Sequence, residues 1–168
     1  LFDSQQHGAA GDSGGAPRQR FIKLVTNEAH IANAHHQWQV RVYWEDTDAG
    51  GIVFYANYLK FFERARTEWL RTLGLQQAHM KQALNGMFVV SETSVRYHRS
   101  SRLDDALQIY TELVVCGKAT LVLKQSAWLD ADLLSEARIR IGWVNSHTLK
   151  PTRLPSALLD TLVNAPRT

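Results

Sequence analysis

The sequence predicts an α+β fold, an antiparallel sheet wrapped around one long helix. Three observations carry this. Residues 37–44 alternate with period two; residues 57–73 hold the only long stretch with a period of three to four; and from Met87 onward the pattern is again strand-like. The order is therefore strand, long helix, then four strands, not the alternation that builds a parallel sheet.

The first strand is Gln37–Trp44, with Trp38, Val40, Val42 and Trp44 on one face. An acidic, glycine-bearing turn follows, Glu45 to Gly51. In the helix, Tyr58, Phe62, Ala65, Trp69 and Leu73 form a stripe that Leu59, Phe61 and Leu70 widen. Lys60, Arg64, Glu68 and Arg71 occupy another face, so the helix is amphipathic. Asn57 is the expected N-cap and Gly74 the expected terminator. A weaker helical stretch covers Gln76–Leu84. Strands are expected at Met87–His98, Ala106–Cys116, Thr120–Leu129 and Leu134–Asn145, with Gly117-Lys118 as a hairpin turn. Pro155 suits the start of a short helix over Ser156–Val163. Wrapping the sheet around the long helix buries its aromatic stripe, at roughly 1.5–3 kcal/mol per large side chain before entropy is counted.

The chain has 168 residues, 45% of them hydrophobic and 21% charged, which suits one globular core. Its apolar runs are short, as in Met87–Val90 and Leu113–Cys116, so no membrane span is expected. A single cysteine, Cys116, excludes an internal disulfide and a multi-cysteine zinc site, and points to a cytoplasmic protein. A net charge of +3 suits an anionic partner without requiring nucleic acid. The five tryptophans read as core or interface residues; none is interleaved with bases as a single-strand nucleic-acid surface demands.

Residues 1–37 differ in kind. They lack tryptophan and any sustained period, and are rich in glycine and small polar residues. They read as a disordered or artificially appended tail preceding a single domain over 38–168. Gly11-Asp12-Ser13-Gly14-Gly15 fits the pattern of a nucleophilic serine elbow, but no strand precedes it and no helix follows. His35-His36 reads as a polar join, not a metal site, since no ligand-spaced partners flank it.

The chemical signal lies in Arg41–Tyr58. Glu45, Asp46 and Asp48 stand at the end of a strand; Gly50 and Gly51 follow, then Ile52-Val53-Phe54-Tyr55, then the helix. Glycines permit a close ligand approach or positive φ. Amides at the helix start lack intrahelical partners and can donate to a developing oxyanion. An acid beside such donors suits hydrolysis of a carbonyl compound. On spacing alone, an acidic turn with ordinary caps is the simpler reading.

The segment resembles the signature of the 4-hydroxybenzoyl-CoA thioesterase family of hotdog-fold proteins, and most closely its Tol–Pal-associated acyl-CoA thioesterase branch. Arg41-Val42, Thr47-Asp48, Gly51–Phe54 and Tyr58 carry the likeness. It continues through Phe61–Glu68, Phe88–Val90, Tyr97, Arg102–Asp105 and Lys150–Pro155, covering residues 38–163. The resemblance implies a hotdog fold and hydrolysis of an acyl-CoA thioester to a free acid and coenzyme A. It places the catalytic carboxylate on Asp48, as nucleophile or as general base, and the oxyanion donor on the backbone N–H of Tyr55. Many members of the branch carry histidine where this chain has Tyr55; a backbone donor survives that change. Gly51, Asn57, Arg102 and Lys118 are candidate substrate contacts. No metal or resident cofactor is implied, coenzyme A being part of the substrate. Homo-oligomers, dimers or dimers of dimers with sites at the subunit boundary, are implied as well.

Competing readings bear on the same residues. Asp46 is expected as a turn residue or a support to Asp48; cation binding by the pair lacks further oxygen ligands. Glu63 reads as the partner of Arg66 at i+3 and is also the runner-up acid. Cys116 reads as a buried inert thiol. Arg96 and Arg99 join Arg102 and Lys118 as bases able to meet phosphate. A second functional reading is a non-catalytic hotdog module that binds acyl carrier protein or a cell-envelope (Tol–Pal) partner; an acid at Asp48 disfavours it. A hotdog dehydratase fits less well, because that branch arranges its acid and histidine differently.

Overall fold

The computed structural model describes residues 35–167. Gly11–Gly15 and the rest of residues 1–34 lie outside the described residues, as does Thr168. The elements run β1 (His36–Arg41), a 3-10 turn (Trp44–Asp46), α1 (Asn57–Thr72), α2 (Gln77–Leu84), β2 (Gly86–Tyr97), β3 (Ala106–Cys116), β4 (Thr120–Leu129), β5 (Asp132–Asn145) and α3 (Ser156–Val163). The five strands form one antiparallel sheet in the order β1-β3-β4-β5-β2. Strands β3, β4 and β5 are joined by hairpins, whereas β1 and β2 occupy opposite edges. The chain between those edges contains α1, and this is why the helix lies across the sheet. The fold is the expected hotdog.

The core is built as the periodicity predicts. Tyr58, Phe61, Phe62, Ala65, Trp69 and Leu70 of α1 are buried. Alternate residues of the strands meet them, such as Leu107 and Ile109 of β3, Leu121 and Leu123 of β4, and Ile139 and Ile141 of β5. Register supports this, since Leu123 stands opposite both Leu113 and Ile139 on one face of the sheet. Helix α1 ends as predicted: Gly74 takes φ +75°, and the Leu75 N–H donates to the Leu70 carbonyl at 2.9 Å. Helix α3 adds Leu158 and Leu162 to the same core.

Four sequence expectations need correction. Strand β1 stops at Arg41, not Trp44. The Asp46 carboxylate accepts the Tyr43 N–H at 2.9 Å, and the Tyr43 carbonyl accepts the Asp46 N–H at 3.0 Å. That exchange curls the chain into the 3-10 turn and turns Trp44 outward, 79% exposed. Second, the sheet takes in His36, which composition assigns to the tail. His35 is buried beside Trp69, with ring centroids 5.9 Å apart, and its Nδ1 accepts the Leu113 N–H at 3.2 Å. Third, Asn57 is not the N-cap of α1; Ala56 holds that position and makes no side-chain cap. Fourth, β5 begins at Asp132 instead of Leu134, because Leu129 pairs with Asp132 across a two-residue turn in which Asp130 takes φ +51°.

Candidate active site

The loop between the 3-10 turn and α1 is a small, self-bonded structure. Thr47 bridges Val53, and the Asp48 N–H donates to the Ile52 carbonyl at 2.9 Å. The Gly51 N–H donates back to the Asp48 carbonyl at 3.0 Å, closing a tight turn in which Gly51 adopts φ +70°. A side chain would be strained there, so glycine is required for the turn. The loop is pinned to the segment before β3: Ile52 bridges Arg102, and the Val53 N–H donates to the Ser101 carbonyl at 2.9 Å. Arg41 reaches the same segment, donating to the Asp104 carbonyl at 2.6 Å.

Two acids two residues apart meet different fates. Asp46 is buried and works within the turn; besides its carboxylate bond, its carbonyl accepts the Phe54 N–H at 2.9 Å. Asp48 is exposed, and its Oδ1 accepts the Gly50 N–H at 2.8 Å. That bond fixes the carboxylate above the turn and leaves its second oxygen open to a ligand. Asn57 is buried, 6% exposed, and donates to the carbonyls of Asp46 at 3.0 Å and Glu45 at 3.4 Å. It staples the turn to α1.

At the start of α1, the amide N–H groups of Tyr55 and Ala56 have no hydrogen-bond acceptor among the described residues. They stand at the positive end of the helix dipole, a favourable place for developing negative charge. The Tyr55 ring is 63% exposed and rests on Phe54, with centroids 4.6 Å apart. An open cleft of about 310 Å³ lies beside it, lined by Ile52, Val53, Tyr55, Tyr58, Tyr97 and His98–Ser100. Asp48 lies on the same loop but is not among the walls of the cleft. Tyr58 is buried, and its hydroxyl lies 2.9 Å from Ser101 Oγ. Burial pushes the Tyr58 phenol above its usual range, with the Ser101 hydrogen bond pulling the other way. Burial raises Tyr97 too, helped by Tyr55 and Tyr58. Both phenols therefore stay protonated and can donate.

The remaining candidates scatter. Arg102 flanks the loop, and its N–H donates to the Asp105 carboxylate at 2.7 Å. Lys118 sits in the β3–β4 turn, beside Arg153 in a separate cleft. Strand β3 separates the two bases by roughly 35 Å, so one protomer cannot bring both to one ligand. Arg99 is paired with Asp132 at 2.8 Å. Glu63 does not pair with Arg66: its carboxylate accepts the Thr67 hydroxyl at 2.8 Å. Arg66 instead turns inward and donates to Gln125 Oε1 at 2.7 Å. Burial lowers the Arg66 pKa to about 10, partly offset by Glu63, so it remains charged near neutrality. Cys116 is half-buried, and burial raises its thiol pKa. Sequence reasoning missed Ser101, Gln125 and the roles of Tyr58 and Tyr97. The Tyr58–Ser101 contact spans 43 positions, and no local spacing announces it.

Comparison with known proteins adds independent findings. Residues 42–162 match the family model described as thioesterase-like superfamily. The acyl-CoA thioesterase YbgC of Haemophilus influenzae is 41% identical over 116 residues, covering 69% of this chain and 85% of that protein. The acyl-CoA thioester hydrolase YbgC of Escherichia coli O6:H1 is 43% identical over 126 residues, covering 73% and 92%. Among solved structures, a probable thioesterase from Bartonella henselae superposes with a TM-score of 0.69 at 33% identity, covering 71% of this chain and 98% of its own.

Proposed function

Because the chain belongs to the thioesterase-like superfamily, we propose that it hydrolyses acyl-CoA thioesters, with Asp48 as the catalytic carboxylate. The single observation that carries this reading is the exposed Asp48 carboxylate, held by the Gly50 N–H on a loop that leads straight into the open amides of α1. The thioester carbonyl oxygen is received by the Tyr55 N–H, where the helix dipole favours the charge that builds on that oxygen. Asp48 then either attacks the carbonyl carbon, giving a mixed anhydride that water cleaves, or removes a proton from the attacking water. In both routes the C–S bond breaks, coenzyme A leaves as its thiol, and the acid is released. Neither route calls for a metal or a resident cofactor. The cytoplasm is the location that goes with this reading.

The site is completed by a second copy of the chain. Beside the Asp48 loop, Tyr43, Trp44, Phe54 and Tyr55 are exposed together, an apolar surface of the kind that marks an interface. Strand β2 is a long sheet edge with β5 on one side and no strand on the other among the described residues. Acyl carrier protein is a second carrier from which the acyl group is accepted. The test is thiol release from a panel of acyl-CoAs and acyl carrier thioesters, comparing wild type with Asp48→Ala. Wild-type turnover on at least one thioester, lost in the variant, is expected; equal background rates across the panel overturn the reading.

A further inference from the structure

The seam between α1 and β2 runs away from the Tyr55 cleft along the helix. Farther along α1, sharing no wall residue with that cleft, lies a groove of about 470 Å³ walled by Leu59, Lys60, Arg64, Val90, Thr93 and Ile139. It ends in a smaller pocket of about 100 Å³ that shares Glu63, Arg66 and Val90 with the groove and adds Trp69, Leu70 and Phe88. Apolar walls suit an acyl chain, yet the far pocket is not apolar throughout. Arg66 carries five N–H donors, and one hydrogen bond, to Gln125, accounts for them among the described residues. Gln125 is held rigidly in turn, donating to the Phe62 carbonyl at 2.9 Å and to Thr111 Oγ1 at 2.8 Å. Trp69, another wall, is 1% exposed, and its indole N–H has no acceptor among the described residues. The spare donors of Arg66 thus belong to a pocket whose other polar walls are Glu63, Thr67 and Gln77. Glu63 is exposed and bonded to Thr67, and Lys60 and Arg64 stand with it along the adjoining groove.

We propose that this pocket binds a carboxylate at the distal end of the acyl chain, so that the preferred substrates are ω-carboxyacyl thioesters. The inference rests on the thioesterase reading above and names its substrate class. A half-buried guanidinium matches a carboxylate geometrically, by paired N–H donors. The volume fits, since a water occupies about 30 Å³ and a carboxylate with one or two methylenes fills roughly three such shares. Burial already depresses the Arg66 pKa, so the charge is held at a cost that an anion would relieve. From the Tyr55 amide to Arg66 the helix rises about 16 Å, which sets the matching chains at roughly eight to fourteen carbons.

The experiment compares kcat/KM for ω-carboxyacyl-CoAs and methyl-ended acyl-CoAs of equal length, in wild type, Arg66→Met and Arg66→Lys. Wild type is expected to favour the carboxyl-ended series by about tenfold or more. Arg66→Met abolishes that preference, the carboxyl-ended series losing about tenfold more than the methyl-ended one, and Arg66→Lys retains part of it. In parallel, binding of both series to full-length Asp48→Asn is measured, following the Trp69 indole N–H resonance. That resonance should shift with carboxyl-ended ligands only. A wild-type preference for methyl-ended chains, or an equal loss for both series in Arg66→Met, overturns the proposal and makes Arg66 structural. If Arg66→Met does not fold, Arg66→Lys and the wild-type ratio decide. If wild type hydrolyses neither series, the thioesterase reading falls, and the binding ratio still decides the pocket: a tenfold preference upholds it, and none overturns it.

Discussion

Asp46 and Asp48 differ by two positions and by everything that burial does to a carboxylate. Asp46 ties the end of β1 to the start of α1 through the Tyr43 N–H, and Asn57 secures its carbonyl. Asp46→Ala leaves that amide unpaired, so stability should fall by about 1–3 kcal/mol, read as a lower midpoint in urea. An unchanged midpoint would remove the turn's claim to hold the loop. His35 offers a second residue-scale prediction. Burial, with a smaller push from Arg167, lowers its pKa beneath the ordinary 6.5, against Glu112, and its Nδ1 must stay unprotonated to accept the Leu113 N–H. The unfolded chain therefore binds more protons in acid, and stability declines as pH falls below 6.5 until the folded pKa is passed. His36 acts in the same direction through its own burial. Urea midpoints at about pH 7.5 and 5.5 should converge in His35→Asn relative to wild type; an unaltered gap would contradict this. Little of this was legible in the sequence. Spacing cannot say which of two neighbouring acids is buried. Nor can an i, i+3 relation reveal that Arg66 turns to Gln125, 59 positions away, instead of to Glu63.

The elements were far more legible than their ends. Helix α1 announces itself because its apolar stripe repeats over four turns, and Gly74 stops it by taking a φ that other residues resist. Strands β2, β3 and β4 follow from alternation and β-branched residues. Where the reading failed, a local polar contact overrode the pattern. The alternation from Trp38 to Trp44 extends past the true end of β1, because the Asp46 carboxylate captures the Tyr43 amide. Asn57 resembles a cap by residue type, yet its side chain finds carbonyls before the helix instead of amides within it. The start of β2 yields an element-scale prediction. A Cβ on Gly86 would sit 2.2 Å from the Trp143 ring, whose face is also packed by Phe88. Gly86→Ala should therefore cost about 1–3 kcal/mol through displacement of that indole. Thermal melting with tryptophan fluorescence reads both effects; wild-type values for each would show that the ring moves freely.

On the scale of the whole molecule, the sheet presents a twelve-residue edge at β2 and a cluster of exposed aromatics beside the Asp48 loop. Edges of this length with no partner among the described residues invite pairing, and the proposed second copy of the chain would supply it. Light scattering at micromolar concentration should give at least twice the 19.0 kDa chain mass. A particle of 19.0 kDa would contradict a site completed by a partner. The account as a whole stands on Asp48, and the separation of kcat from binding in Asp48→Asn tests it most directly. The amide keeps the size of the side chain and its bond from Gly50 but removes the charge to which the proposal assigns attack or deprotonation. The predicted result is a fall in kcat of at least about a hundredfold, with substrate affinity and melting temperature close to wild type. A variant that turns over acyl-CoA at the wild-type rate would contradict it.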